Sequence, residues 1–366
     1  MQHSAPSLAA QNKLITLFGY IFAKTGKSNT ITSPLSLYAC LAMLAEGSSG
    51  QTFKELADVL GYANEAEVFD AAMFGALQSL HAGYGKGAIV KISNMLYANK
   101  NSLLKPGYVK TITTKHNAVA ENVDFGDSST KTKINTAISQ ATNGLIKDCI
   151  DQLSSDTECV LVNTIYFKGT WKYQFQKSNT RPDVFTLTDG STTQVDFMNE
   201  KLKATLFSTT VSSYLSLAYE GEKVKFVVEL PKSKRLEQLD AGAVIKVATD
   251  QYSENVKVSL PKFKFEFKAQ LLPILQQLGI NGACTGTSLE KMTDSKLALT
   301  QVIHQAFIQV DEEGTEAAAA TVIKMRLLGY VEKPRAVIDR PFHYHIVDKQ
   351  NGIIMFSGKI ECPEFK

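Results

Sequence analysis

Several patterns in the chain carry residue types that catalysis or ligand binding uses. Gly26, Lys27 and Ser28 have the order that ends a phosphate-binding loop. The glycine required five positions before Gly26 is Ile21, so the spacing fails. Gly83, Gly85 and Gly87 cluster around Tyr84 and Lys86 without the strand-loop-helix setting of a dinucleotide site. His343 and His345 are two residues apart and on a strand would share one face. Such a pair can bind metal, but no third ligand is evident and a structural role is the preferred reading. There is no Gly-x-Ser-x-Gly elbow, no His-Glu-x-x-His and no nucleophile-base constellation. The five cysteines, Cys40, Cys149, Cys159, Cys284 and Cys362, are odd in number and lack CxxC spacing. They read as mostly buried free thiols rather than a zinc site or disulfide framework. No enzyme activity, metal or cofactor is expected.

The run Asp311 to Thr321 is more informative. Acids lead through Gly314 into four consecutive alanines, Ala317, Ala318, Ala319 and Ala320. On composition this is a small exposed helix or an Ala-rich loop, since Ala is a good helix former and a poor strand former. The alternative is a mobile segment kept small so that it can enter a packed sheet. Alternation favours the second. From Thr315 the alternate positions are Thr315, Ala317, Ala319, Thr321, Ile323, Met325 and Leu327, none charged. The intervening set, Glu316, Ala318, Ala320, Val322, Lys324 and Arg326, holds every charge. A strand entering a sheet needs this separation, because alternate residues face the core. Gly314 supplies a backbone hinge.

The elements around this run read as α+β. Residues 8–24 carry an amphipathic stripe of Leu14, Leu17, Phe18, Ile21 and Phe22. Ser33 caps a second helix, Leu35 to Ala45, with Pro34 in its first turn. Gly47, Ser48, Ser49 and Gly50 stop it. Thr52 is read as the next cap, with Glu55 at capping-box spacing. Strand-like runs follow at Val90–Tyr97, Cys159–Phe167, Tyr214–Ala218, Lys225–Leu230, Val256–Leu260, Phe263–Phe267, Ala306–Val310, Phe342–Val347 and Ile353–Ile360. A helical early chain followed by a strand-rich later one points to large mixed or antiparallel sheets.

The 366 residues are 44% hydrophobic and 20% charged, enough for a large core. No linker, low-complexity tract or repeat divides them, so one domain over 1–366 is expected. The net charge of +3 is too weak to imply a nucleic-acid or membrane partner. No apolar run is long enough to span a bilayer. The N-terminus lacks the basic and apolar regions of a signal peptide. The chain is therefore cytosolic or has lost a signal peptide.

Four motifs in order now support a resemblance. The run from Asn163 through Phe167, Gly169 and Trp171 to Phe175 resembles the central-sheet signature of serpins. The run from Asp339 and Phe342 to Phe356 and Gly358 resembles their C-terminal signature. Ser33 to Ser36 and Gly47 to Thr52 look like their early helical motifs. Glu312 to Thr321 is similar to the hinge of inhibitory members. The matches cover residues 10 to 363. Ile338, where the family has a smaller residue, and Cys284 before Gly286, where it prefers an apolar one, are departures.

The resemblance implies a serpin fold with three β-sheets, eight or nine helices and an exposed reactive-centre loop, here about residues 311–335. It also implies suicide inhibition of a serine protease in a covalent 1:1 complex, formed when the cleaved loop inserts into the central sheet. By the same resemblance Glu312, Gly314, Thr315 and the four alanines are the hinge. Ser33, Ser36, Asn163 and His304 match a polar shutter beneath the sheet. The family's spacing from hinge glycine to reactive bond gives Leu328-Gly329. A large apolar residue suits a chymotrypsin-like pocket. Arg326 and Lys324 keep a trypsin-like target open, and Tyr330 could shift the site by two residues. The alternative function is a non-inhibitory carrier, chaperone or storage protein. Glycosaminoglycan activation is not expected, since residues 66–90 offer only Lys86 as a basic residue. Lys223, Lys225, Lys232, Lys234 and Arg235 read as a solvated strand edge rather than a polyanion site. A secreted monomer is the favoured expectation, with a cytoplasmic location the alternative.

Overall fold

The computed structural model describes residues 24–61, 87–233, 236, 239–286, 289–315 and 334–365. A short strand, β1 (Asn29–Thr32), leads into helix α1 (Pro34–Gly47). Ser33 caps α1 as its position predicts: its Oγ accepts the Ser36 N–H at 3.1 Å. Pro34 sits where an N–H would have no helical partner. Every residue of α1 except Glu46 is buried. A helix apolar on all sides belongs inside a protein, and α1 packs against both sheets described below.

Helix α2 (Gly50–Leu60) differs from its expected start. Ser49 precedes the first turn without a capping bond. Thr52 is buried within the helix. Glu55 Oε2 instead accepts the N–H groups of Asn281 and Gly282, both at 2.8 Å. Two donors brought by the tertiary fold won over the local capping box.

The six-stranded sheet holds the candidate hinge. It uses β2 (Ala88–Asn99), β3 (Val119–Val123), β4 (Cys159–Thr170), β10 (Phe263–Gln270), β11 (Leu299–Val310) and β12 (Gly314–Thr315). Their order is β10-β11-β12-β4-β2-β3. β12 occupies only one end of the gap between its neighbours. Over the rest, β11 and β4 pair directly and in parallel, through eight positions from Leu299 opposite Cys159 to Phe307 opposite Tyr166.

The nine-stranded sheet includes β5 (Arg181–Thr186), β6 (Thr192–Ser208), β7 (Ser212–Ala218), β8 (Val224–Pro231), β9 (Glu254–Pro261), β13 (Arg335–Val337), β14 (Phe342–Asp348) and β15 (Ile353–Ile360). Its order is β1-β15-β14-β8-β7-β6-β9-β13, with β5 also on β6. The expected three sheets thus become two hydrogen-bonded arrays. The reason is β6, whose 17 residues pair with β5 and β9 along most of their length and with β7 at the end. Four further helices, α3 (Pro106–His116), α4 (Ser128–Ala141), α5 (Ala241–Thr249) and α6 (Leu272–Gln277), bring the complete helices among the described residues to six. The helix expected over 8–24 lies, apart from Lys24, outside the described residues. One cluster of buried side chains from α1 and both sheets forms the main core.

Candidate functional site

Where β11 ends, the chain folds back into its own sheet. Asp311 holds the turn. Its N–H donates to Gly314 O at 2.9 Å, and its Oδ1 accepts from Glu313 N at 3.0 Å and Gly314 N at 3.3 Å. The returning Gly314 lies opposite Thr170, and Thr315 lies between Val310 and Gly169. A β-carbon on Gly314 would stand 2.0 Å from the Gly169 carbonyl oxygen and 2.8 Å from Thr170 Cα. Backbone cannot yield to that extent, so the position requires glycine.

The residues after β4 grip the turn from outside. Trp171 N donates to Glu313 O and Phe175 N to Glu312 O, each at 2.9 Å. Trp171 Nε1 donates to Asp311 O at 2.8 Å. The indole stacks on Tyr219, with ring centroids 4.6 Å and planes 8° apart. Tyr219 in turn places its hydroxyl 2.6 Å from Thr315 Oγ1, and both residues are fully buried. Glu312 is buried with its carboxylate satisfied by Thr180 Oγ1 at 2.7 Å and by Lys262 Nζ at 3.0 Å. Burial alone would raise its pKa. The hydrogen bonds from Thr180, from its own backbone and from Lys262, with the lysine's charge, outweigh burial and hold it below the usual glutamate value.

The four shutter candidates come together beneath the same sheet, all fully buried. Asn163 and His304 are register partners on β4 and β11. His304 Nδ1 lies 2.7 Å from Asn163 Oδ1, an acceptor, so the ring carries its proton on Nδ1. Asn163 Nδ2 donates to Ser36 Oγ at 2.5 Å, to Ser36 O at 3.2 Å and to Asn94 Oδ1 at 2.7 Å. Ser33 enters indirectly, through its cap on Ser36 N. Burial pushes His304 down to about 3, so the imidazole is neutral. Its Nε2 is buried and has no hydrogen-bond partner among the described residues. Asn94, register partner of Asn163 on β2, was missed by sequence reasoning. An amide inside an otherwise apolar strand was the available signal.

Other candidates fall elsewhere. Ala317, Ala318, Ala319, Ala320, Leu328 and Gly329 lie outside the described residues. His343 Nδ1 and His345 Nε2 each lie 3.8 Å from Glu229 Oε2, beyond hydrogen-bond range. Glu229 Oε1 accepts from Tyr214 at 2.9 Å. Burial pushes His343 down to about 4, against the opposing charge of Glu229. Among the described residues no group of three or more His, Cys, Asp or Glu is arranged to hold a metal. The reading of Lys223 to Arg235 as a solvated strand edge needs correction. Lys225 is buried on β8, which lies between β7 and β14 and is not an edge. Lys234 and Arg235 lie outside the described residues.

Comparison with known proteins agrees with this geometry. The family model described as "Serpin (serine protease inhibitor)" matches residues 10–363. A serpin-like protein of Thermococcus kodakarensis is 31% identical, over 92% of this chain and 81% of its own length. Serpin-Z1C of Triticum aestivum is 32% identical, over 93% and 91%. The thermophilic serpin tengpin, in its native state, superposes with a TM-score of 0.88 at 24% identity, covering 99% of this chain and 96% of its own. By motif order, sheet topology and family match, the chain belongs to the serpin family.

Proposed function

We propose that this serpin is a suicide inhibitor of serine endopeptidases with chymotrypsin-like specificity. The target's serine attacks the Leu328 carbonyl, the bond to Gly329 breaks, and Gly329 leaves with a new amino terminus. Leu328 stays esterified to the protease. The loop before the cut then inserts between β11 and β4 and carries the protease along the sheet faster than water hydrolyses the ester.

The observation that carries this reading is the seat of Thr315. The hinge already lies between β11 and β4, antiparallel to both, with its hydroxyl buried on Tyr219. Past that point the two strands pair directly, so a third strand can be gained only by parting them. Continuing the register of Thr315 brings Ala317 opposite Phe167, Ala319 opposite Ile165 and Thr321 opposite Asn163. These β4 residues are all buried, and Phe167 and Ile165 belong to the main core. The small uncharged residues of the loop would thus meet the core side of the sheet.

The test is incubation with a chymotrypsin-like and a trypsin-like protease. The expected result is an SDS-stable complex with the first and a released peptide that begins at Gly329. A peptide beginning at Met325 or Leu327 would place cleavage after Lys324 or Arg326 and assign a trypsin-like target. Cleavage with no complex from any protease would leave a non-inhibitory carrier or storage role.

A further inference from the structure

The strands on the β13 side of the nine-stranded sheet carry an arrangement of charge that the inhibitory reading does not use. Lys201 on β6 lies directly opposite Lys257 on β9, and Lys257 lies directly opposite Arg335 on β13. Three cations therefore stand in one row on three adjacent strands. Like charges directly opposite one another destabilise a sheet. With strands spaced by about 4.8 Å, the row is only about 10 Å long.

The row lines a cleft of about 540 Å³ that also exposes Arg181. Asn199 and Ser259, bonded to each other at 2.6 Å, contribute polar atoms to its wall. Among the described residues, the one carboxylate in the lining is Glu200. Its Oε2 accepts from Asn179 Nδ2 at 3.0 Å and Gln176 N at 3.4 Å, and its Oε1 accepts from the Lys201 backbone N–H at 3.1 Å. Four cations thus face one carboxylate already held by neutral donors. Among the described residues no ion pair within 4.0 Å joins any of these four to a carboxylate, although ten other lysine and arginine pairs occur there.

We infer that this cleft is a docking site for an acidic surface loop of the target protease. The inference rests on the proposed inhibitory function. Arg335 is only seven residues beyond Leu328, so an extended chain puts it no more than about 24 Å from the reactive bond. A protease domain of about 220 residues has a radius of gyration near 17 Å. Its body therefore spans that distance when its active site engages Leu328. Charge complementarity at such a site acts mainly on the rate of encounter, because it concentrates the partner before the specific contacts form.

The test is the triple variant K201Q/K257Q/R335Q, whose residues are exposed and none of which lies in the segment before Leu328 that would insert. With a protease that the wild type traps, its association rate should fall about 10-fold or more at low ionic strength, with a shallower salt dependence. The number of inhibitors consumed per protease inactivated should stay at the wild-type value. An unchanged rate and salt dependence would overturn the inference while leaving inhibition intact. A second arm needs no trapping. A labelled polyglutamate peptide should bind the wild type at low salt and bind the triple variant at least 10-fold more weakly, and equal binding would also overturn it. If heparin accelerates only the wild type, while heparin-free rates of the two proteins agree, the occupant is a sulfated polysaccharide and the protease assignment is wrong.

Discussion

Under the proposed mechanism, Thr315 is the first loop residue that insertion must seat. It is fully buried on Tyr219 and flanked by Val310 and Gly169, so there is no room for a long side chain and no partner for a charge. In Thr315→Arg, seating the hinge would bury an unpaired guanidinium, at a cost of several kcal/mol after relaxation. Leu328 is untouched, so proteases should still cleave the loop. Trapping is a race between insertion and hydrolysis of the acyl-enzyme, and slower insertion turns an inhibitor into a substrate. The measurement is the number of inhibitors consumed per protease inactivated, beside the covalent band. Wild-type stoichiometry in Thr315→Arg would exclude the inserting-strand mechanism. The same proposal places specificity at Leu328. Leu328→Arg should weaken inhibition of chymotrypsin-like proteases by at least 10-fold and create or improve inhibition of trypsin-like ones, because the pocket that takes the residue discriminates by charge and shape. An unchanged preference across a protease panel would show that a different bond is attacked.

At the scale of elements, insertion as proposed would bring the loop to the polar shutter by register. Thr315 opposes Val310 and Gly169, so each two-residue step along an inserted strand moves two residues back along β11 and β4. After three steps Thr321 stands between His304 and Asn163, whose direct 2.7 Å bond must then part. The Thr321 hydroxyl can rejoin the two groups. In Thr321→Val the inserted form would keep a buried amide oxygen and a buried imidazole N–H unpaired. That should destabilise the cleaved protein by roughly 1–3 kcal/mol and leave the intact one unchanged. Thermal melting of both forms checks this, and equal loss in both would refute the register argument. The sequence showed much of this frame. The apolar runs at Cys159–Phe167 and Ile353–Ile360 lie within β4 and β15, because burial on both faces leaves an unbroken hydrophobic string. It hid β6, where Asp196, Glu200, Lys201 and Lys203 interrupt the apolar positions because part of this strand faces solvent. The charge alternation from Thr315 and the glycine before it, Gly314, were legible in the sequence. The clamp of Trp171 and Tyr219 was not, since a stack between residues 48 apart in sequence leaves no local periodicity. The basic row was equally silent: Lys201, Lys257 and Arg335 become neighbours only through strand pairing.

For the whole molecule, stability should depend both on pH and on whether the loop is cut. His343 is buried and neutral, with its pKa pushed down to about 4 from 6.5. Unfolding lets it take up a proton below pH 6.5, so stability is full above that value and is lost as pH falls towards 4. The loss is up to about 3 kcal/mol for this group. Glu229 adds the same sign. Burial would raise its pKa, but the nearby His345 and His343 and the bond from Tyr214 hold it below the usual value, so its contribution also fades on acidification. Melting at pH 7.5 and pH 5 should show a lower midpoint at pH 5, with a smaller difference in His343→Gln. Equal midpoints would rule this out. Cleavage should act in the opposite direction and more strongly. In the intact protein β4 and β11 satisfy each other along eight positions, so no unpaired ladder lies between them to draw the loop in. Inserting a strand there replaces one ladder by two and buries Ile323, Met325 and Leu327. Each large apolar side chain contributes roughly 1.5–3 kcal/mol when buried, or about 5–9 kcal/mol for the three. In a chain of this size that raises the midpoint by roughly 6–12 °C. Differential scanning calorimetry of intact protein and of protein nicked after Leu328 makes the comparison directly. Coincident melting curves would mean that the cut loop stays outside the sheet, and the stored free energy that the trapping mechanism needs would be absent.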